Sequence, residues 1–517
     1  MNDVAISTIT KEAVWTEWFT LSGMDMSEYE AKRGMRERAA NEVSEALTKG
    51  QRPIFELATG GGKTIIAMLV SAKKNARTLF LAPSKPLVDQ HERFLRKEMG
   101  CRFHSRVIDG DTKVSERIWS NSEERFIFAT AEVVLAEMKK GVAILEHFTL
   151  VTFDEAHHGR GLHADIVLAN ILREKHIPYL GLSASLGTDE DDIGKLCAQM
   201  HFDVVFWYGI NMPTRREEYI FLKLSPAQVR TEEGGFLPLH NKLKAQLIRA
   251  LLRARVKFPV TKEKLFTAKE LDLMTARIGG LADDKERSIC FLFLGVYKKF
   301  LYAYRVFMVE GFNTFLSYVN DMAERGEKSD VKLLSERLFG RIVATARKEY
   351  DNHPKEQRLL EEIARGARHS RQIITFFANM QSARHIAKCA VKKGISAECM
   401  FGARGMRKKE RKIVMQRFIQ GETRVLLATS VIEEGISVPE VSEVINANIA
   451  TSARSRLQRA GRTARMHPGN VLHLIMEHDF DLCIFYAVHR ELKNFTSNRK
   501  TLTDGVRHVH VQHEFAF

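Results

Sequence analysis

The most constraining stretch of this chain is Leu57-Ala58-Thr59-Gly60-Gly61-Gly62-Lys63-Thr64, set between the apolar run Ile54–Ala58 and a helical pattern that begins near Lys63. Glycines between a strand and a helix let backbone amides curl around an oxyanion, and the helix N-terminus adds its positive end. The segment therefore reads as a phosphate cradle in which Thr59, Gly60, Gly61, Gly62, Lys63 and Thr64 bind a nucleoside triphosphate. Lys63 would meet the β- and γ-phosphates, and Thr64 would meet Mg²⁺. Farther along, the strand-like run Leu150–Phe153 ends in Asp154-Glu155-Ala156-His157. Two adjacent carboxylates at a strand end suit a magnesium ligand, Asp154, beside a group that orients or deprotonates the attacking water, Glu155. Together the two segments describe an engine driven by nucleoside triphosphate.

The chain has 517 residues and a formal net charge of +15 on an otherwise ordinary globular composition. That length suits about three domains, and that charge suits a polyanionic partner, nucleic acid before others. The six cysteines carry no C-x-x-C pair or other zinc-ligand spacing, and they read as reduced thiols of an intracellular protein. No apolar run is long enough to span a bilayer, and the N-terminus lacks a secretory pattern, so the reading is a soluble protein of the cytoplasm or nucleoid, not a membrane protein.

Strand-like runs alternate with helical patterns at Ile54–Ala58, Thr78–Ala82, Phe126–Ala129, Leu150–Phe153 and Tyr179–Ser183, and again at Ile373–Phe377, Val425–Ala428, Val444–Asn448 and Val471–Ile475. Between them the pattern is helical, notably over 243–258, 288–309 and 331–350. The expected fold class is α/β, with two parallel-sheet motor domains separated by an α-helical insertion. The boundaries read as an N-terminal extension over 1–27, a first motor domain over 28–209, the insertion over 210–357, a second motor domain over 358–480 and a C-terminal tail over 481–517.

The second α/β unit carries Gln458-Arg459-Ala460-Gly461-Arg462-Thr463-Ala464-Arg465, which puts Arg462 and Arg465 one helical turn apart, as two arginine fingers for the transferred phosphoryl group. The insertion holds Lys242, Lys244, Arg249, Arg253, Arg255 and Lys257 with no acidic residue among them. We read Arg249, Arg253 and Arg255 there as phosphate contacts, with a solvated helix face as the alternative. Tyr297, Phe300, Tyr302, Tyr304, Phe307, Phe312 and Phe315 recur at helical spacing and read as the insertion's own core rather than as a base-stacking platform. His157 reads as part of the carboxylate motif, linked onward by hydrogen bonds, and His158 and His163 follow it on a glycine-containing loop; none of the three reads as a metal ligand. The alternating tail around Arg507–His513 reads as a polar edge strand or a disordered end.

Taken in order, these segments resemble the superfamily 2 helicases of the DEAH-box kind, and most closely the archaeal Hef helicase and FANCM-type DNA translocases, with RIG-I-like RNA-directed ATPases second. Leu81-Ala82-Pro83-Ser84-Lys85-Pro86-Leu87-Val88-Asp89-Gln90-His91 is similar to motif Ia, Thr130 and Glu132 to motif Ic, Leu182-Ser183-Ala184-Ser185 to motif III, and Val425 to Pro439 to motif V. The resemblance implies two RecA-like domains closing on ATP and Mg²⁺. It adds Gln458 to the catalytic group, His157, Ser183, Ser185 and Gly435 as coupling residues, and Ser84, Lys85, Thr130 and Thr429 as contacts to a nucleic-acid strand. Ala131 stands where the family has proline and Ser437 where it has aspartate, and the basic stretch Lys32–Arg36 lacks the family's adenine-reading glutamine. Neither a nuclease signature nor a four-cysteine sensor follows, so a motor without a nuclease is expected. The implied activity is ATP-dependent helicase or translocase action with 3′ to 5′ movement, on forked, branched or single-stranded DNA, in repair, replication or recombination. The alternatives are a double-stranded-RNA-directed ATPase and a binding scaffold without turnover. Protein partners are not legible.

Overall fold

The structure is a computed structural model that describes residues 26–57, 61–98, 104–121, 123–159, 163–186, 190–208, 215–258, 265–369, 371–402, 405–432, 438, 440–463, 469–500 and 509–510. Seven parallel strands form the first sheet: β1 (Pro53–Leu57), β2 (Thr78–Leu81), β3 (Ser105–Ile108), β4 (Phe126–Ala129), β5 (Leu150–Phe153), β6 (Tyr179–Ser183) and β7 (Val204–Tyr208). Their order is β7-β1-β6-β5-β2-β4-β3. The central strands are buried on both faces, which is why they read as continuous apolar runs rather than alternating ones. β3 and β7 are absent from the sequence reading. β3 is short and half polar, while Val204–Tyr208 is an apolar run that the alternation above passes over.

The second sheet comprises β8 (Arg215–Leu222), β9 (Ile373–Phe376), β10 (Ala397–Met400), β11 (Val425–Ala428), β12 (Glu443–Asn446) and β13 (Gly469–Met476), all parallel, in the order β10-β11-β9-β12-β13-β8. β8 differs from the sequence reading, which gave this stretch to the helical insertion. It pairs along its whole length with β13, from Arg215↔Gly469 to Leu222↔Met476. An edge strand whose sole partner lies far along the chain leaves no local periodicity that separates it from a loop. The segment read as a tail begins with a helix, Asp479–Lys500, and then supplies β14 (Val509–His510), which joins the first sheet antiparallel to β7 as the edge strand that the alternation around Arg507–His513 suggests.

Between β8 and the helix Pro354–Arg368 lies a unit that is helical in its described residues, its largest helices being Leu237–Arg253, Ala268–Gly279, Asp284–Arg305, Phe312–Arg325 and Arg337–Lys348. The expected helix over 331–350 is two helices, Lys328–Leu334 and Arg337–Lys348, separated at Ser335–Glu336. Tyr297, Phe300, Tyr304, Phe307, Phe312 and Phe315 fill this unit's core. Tyr302 instead reaches outward, and its hydroxyl accepts a hydrogen bond from Asn379 Nδ2 at 2.9 Å. The insertion is bonded to the second α/β domain by this contact, by Thr314 to Ser382 at 2.7 Å and by His478 to Glu232 at 2.9 Å.

Glu356 lies at this junction, against Gly311, whose φ of 139° and lack of a side chain leave room for the carboxyl. Burial, then Asp351, pushes the Glu356 carboxyl up to about 8. The folded chain thus keeps a proton that the unfolded chain releases near the ordinary 4.5. Stability attributable to this residue falls as pH rises between those values, because the folded state binds the extra proton. Glu356→Gln should flatten that decline and raise the melting temperature at pH 8, with an effect on the order of 2–4 kcal/mol. Thermal melts of both proteins from pH 5 to 8 check it, and parallel curves would contradict it.

Candidate active site

The C-terminal edge of the first sheet assembles the site. β1 is fully buried and delivers the chain to the glycine loop, and the helix Lys63–Lys73 starts at Gly62 with φ of 97°. A side chain at Gly62 would occupy the space of the Arg36 guanidinium. Arg36 is 2% exposed, and its Nε donates to the Gly61 carbonyl at 2.7 Å, so a buried cation braces the loop from behind. Lys63 Nζ stands 3.4 Å from Glu155 Oε1.

Asp154 and Glu155 follow β5, and a left-handed backbone at Glu155 (φ 47°) directs the two carboxylates apart. Asp154 Oδ2 is 2.6 Å from His91 Nε2, and His91 Nδ1 is 3.4 Å from the Thr64 hydroxyl. Burial would raise the Asp154 carboxyl, but the facing His91 and then Lys63 outweigh it and hold the group below its ordinary range. The other oxygen of Glu155 faces His157 Nδ1 at 3.4 Å and accepts from the Ala184 amide at 3.5 Å.

A second set of bonds joins the ends of β5 and β6. Ser183 Oγ donates to the Ser185 carbonyl at 2.8 Å and accepts from the Ser185 amide at 3.0 Å, and His157 Nδ1 lies 2.9 Å from the same oxygen. With its proton given to Ser185, Ser183 Oγ can only accept from the ring, which sets the proton of His157 on Nδ1. Thus Lys63, Thr64, Asp154, Glu155, His157, Ser183 and Ser185 come together around one point. A hydroxyl and one carboxylate are hard oxygen donors that fill part of an octahedron, which fits a Mg²⁺ ion completed by phosphate oxygens and water.

In the second domain, Gln458 and Arg462 are buried at the end of the helix Ala453–Ala460. The helix stops at Ala460, so Arg462 occupies the turn after it and not a helical position. Its carbonyl accepts from the Val441 amide at 3.1 Å, which ties the turn to the sheet. Neighbouring Arg459 lies over Phe376 at 5.0 Å and donates to the Asn448 carbonyl at 2.9 Å. Thr59, Gly60, Gly435, Ser437 and Arg465 lie outside the described residues.

Ser84 and Thr130 are the N-cap residues of the helices Lys85–Arg93 and Ala131–Met138, which follow the neighbouring strands β2 and β4, and Thr429 follows β11. Lys85 is engaged by carboxylates: it pairs with Asp109 at 2.6 Å and with Asp111, which Lys408 of the second domain also reaches at 3.2 Å. Hydrogen bonds from Lys85 and then Lys408 hold the Asp111 carboxyl below its ordinary range. Arg249, Arg253 and Arg255 are exposed, the first two one turn apart on Leu237–Arg253. Lys244 leaves that stripe, for it turns inward over the Phe266 ring at 4.9 Å, and burial lowers its ammonium.

Arg36 and His91 are the functional-site residues that the sequence reading missed. Both carry a signal. Leu87, Val88 and His91 share one buried helix face, and Arg36 continues the buried series Ala39, Ala40 and Val43.

Residues 31–187 match the family described as "Type III restriction enzyme, res subunit", and residues 354–467 match the "Helicase conserved C-terminal domain". With one match on each α/β domain, the chain is similar to the superfamily 2 helicases. A protein of Methanocaldococcus jannaschii whose name carries the words ATP-dependent RNA helicase is 27% identical over 493 residues, 89% of this chain and 61% of that protein. An ATP-dependent DNA helicase of Pyricularia oryzae is 26% identical, covering 82% of this chain and 42% of its own length. The chain therefore spans about half the length of these relatives. Its fold is that of the Pyrococcus furiosus Hef helicase domain, with a TM-score of 0.59 at 24% identity over 86% of this chain and 96% of that one.

Proposed function

We propose that this chain is an ATP-dependent DNA helicase or translocase that acts on forked or branched DNA, with Mg²⁺ as the metal. The observation that carries the reading is the convergence of Lys63 and Thr64 with Asp154 and Glu155, from two separate segments, beside one braced loop. Lys63 would hold the β- and γ-phosphates, Thr64 and Asp154 the metal, and Glu155 the attacking water, while Gln458, Arg462 and Arg465 would reach the phosphates from the second domain. Ser84, Lys85, Thr130 and Thr429 would grip one strand through its phosphates, and such contacts carry no base information. The chain's surplus of basic residues and the DNA helicase names among its relatives support DNA as the polymer. Movement from 3′ to 5′ and work in DNA repair, in the cytoplasm or nucleoid, complete the proposal. A second reading, an RNA-directed ATPase, is favoured by the name of the Methanocaldococcus relative.

Mg²⁺-dependent ATP turnover, titrated in parallel with single-stranded DNA, forks carrying a 3′ or a 5′ arm, four-way junctions and double-stranded RNA, tests both. Stimulation by DNA and remodelling of 3′-armed forks alone is the expected result. Stimulation by RNA only would favour the second reading, and turnover in no arm would leave a scaffold.

The exposed arginines make a separate prediction. Replacing Arg249, Arg253 and Arg255 together with alanine should lower the slope of log affinity against log salt by about 0.9 for each duplex phosphate that the variant no longer neutralises, and leave ATP-analogue binding unchanged. Fork binding measured across a salt series checks it. Wild-type affinity and slope would make the stripe a solvated face.

A further inference from the structure

His91 bridges the two residues assigned to the metal without being one of them. Its side chain is 7% exposed and is held by Phe80, 4.8 Å away between centroids, and by Phe128, stacked at 6.5 Å. One nitrogen faces Asp154 and the other faces Thr64. The proton positions follow from what each partner can do. An ionised carboxylate only accepts, so Nε2 must carry the proton that it donates to Asp154 Oδ2 at 2.6 Å. In the neutral ring Nδ1 is then an acceptor, and the hydrogen atom available to it is that of the Thr64 hydroxyl.

We infer that His91 is a positioning residue for the divalent cation: it draws the Thr64 hydroxyl proton to one side, so that the oxygen lone pairs face the metal, and it holds Asp154 by one oxygen, leaving the other for the metal or its water. This rests on the triphosphate reading of the site and deepens it. A hydroxyl can ligate a cation only with its proton turned away, and a buried carboxylate with no fixed partner would sample orientations that do not ligate. Because Phe80 and Phe128 belong to β2 and β4 and Asp154 follows β5, three strands of the sheet set the position of the imidazole.

The test is the Mg²⁺ dependence of nucleotide binding by the whole chain, read from the fluorescence of a methylanthraniloyl ATP analogue, with Mg²⁺ titrated against EDTA. His91→Phe keeps the ring against Phe80 and Phe128 but removes both nitrogens. It should move the Mg²⁺ midpoint up by about tenfold, the size typical of losing a partner that orients a metal ligand. Affinity in EDTA should change by less than about twofold, since Lys63 and the loop contact the phosphates without the metal. His91→Gln, whose amide nitrogen can reach Asp154, should recover most of the shift, whereas His91→Asn, polar but too short, should repeat it. The Gln and Asn pair decides the matter if the phenylalanine variant does not fold.

An unchanged midpoint in His91→Phe, or equal midpoints for Gln and Asn, would overturn the inference and leave the triphosphate reading standing. A wild-type protein whose nucleotide affinity ignores Mg²⁺ would overturn that reading, and the inference with it.

Discussion

Replacing Glu155 with glutamine is expected to lower ATP turnover by at least about a hundredfold while nucleotide binding stays near that of the wild type. The amide keeps the size of the side chain and can still accept from the Ala184 amide, so the junction between the ends of β5 and β6 should survive. What disappears is the negative charge that faces Lys63 at 3.4 Å and that would orient and deprotonate water. Lys63 then loses one partner, and its proposed contact with the phosphates does not involve Glu155, so binding should not weaken. Steady-state phosphate release and analogue binding, measured on the same preparation, separate the two effects. Turnover within tenfold of the wild type would remove Glu155 from the catalytic role and point to another base.

Asp481→Ala is expected to destabilise the protein by about 3–5 kcal/mol, the range seen when one partner of a buried ion pair is removed. Asp481 and Lys355 are each 3% exposed in their side chains and lie 2.7 Å apart, and the same carboxylate accepts from the Met476 amide at 3.0 Å. Alanine would leave a buried ammonium and a buried amide without their acceptor, and both costs fall on the folded state. The double variant Lys355→Met with Asp481→Leu should recover much of the loss, because an apolar pair of similar volume needs no compensation. Urea unfolding of the three proteins checks this. A loss below about 1 kcal/mol in the single variant would mean that water reaches the pair.

The pair also illustrates why some of this protein was hidden in its sequence. Lys355 and Asp481 belong to helices far apart in the chain, and each reads locally as an ordinary charged residue of an amphipathic helix. The same holds for β8, whose charged and half-exposed residues gain a strand's identity only from β13 beside them. Lys244 and Arg249 have equal claim to the basic stripe in sequence, yet helical phase against the insertion core turns one inward over Phe266 and the other outward.

The sequence alone was enough to read a glycine-rich loop at 57–64, the carboxylate pair Asp154-Glu155, the α/β class and a helical stretch between the two α/β units. Each of these depends on neighbours in the chain: a loop that needs glycine between a strand and a helix, and strands that must be continuously apolar because both their faces are covered. Tertiary structure alone decided which polar groups meet. Arg36 behind the loop, His91 between Thr64 and Asp154, and Lys408 reaching Asp111 come from segments brought together by parallel crossover connections and by domain packing. The physical reason is that a hydrogen bond or ion pair is set within a few tenths of an ångström by the packing of sheets and helices, and local propensity carries no information at that scale.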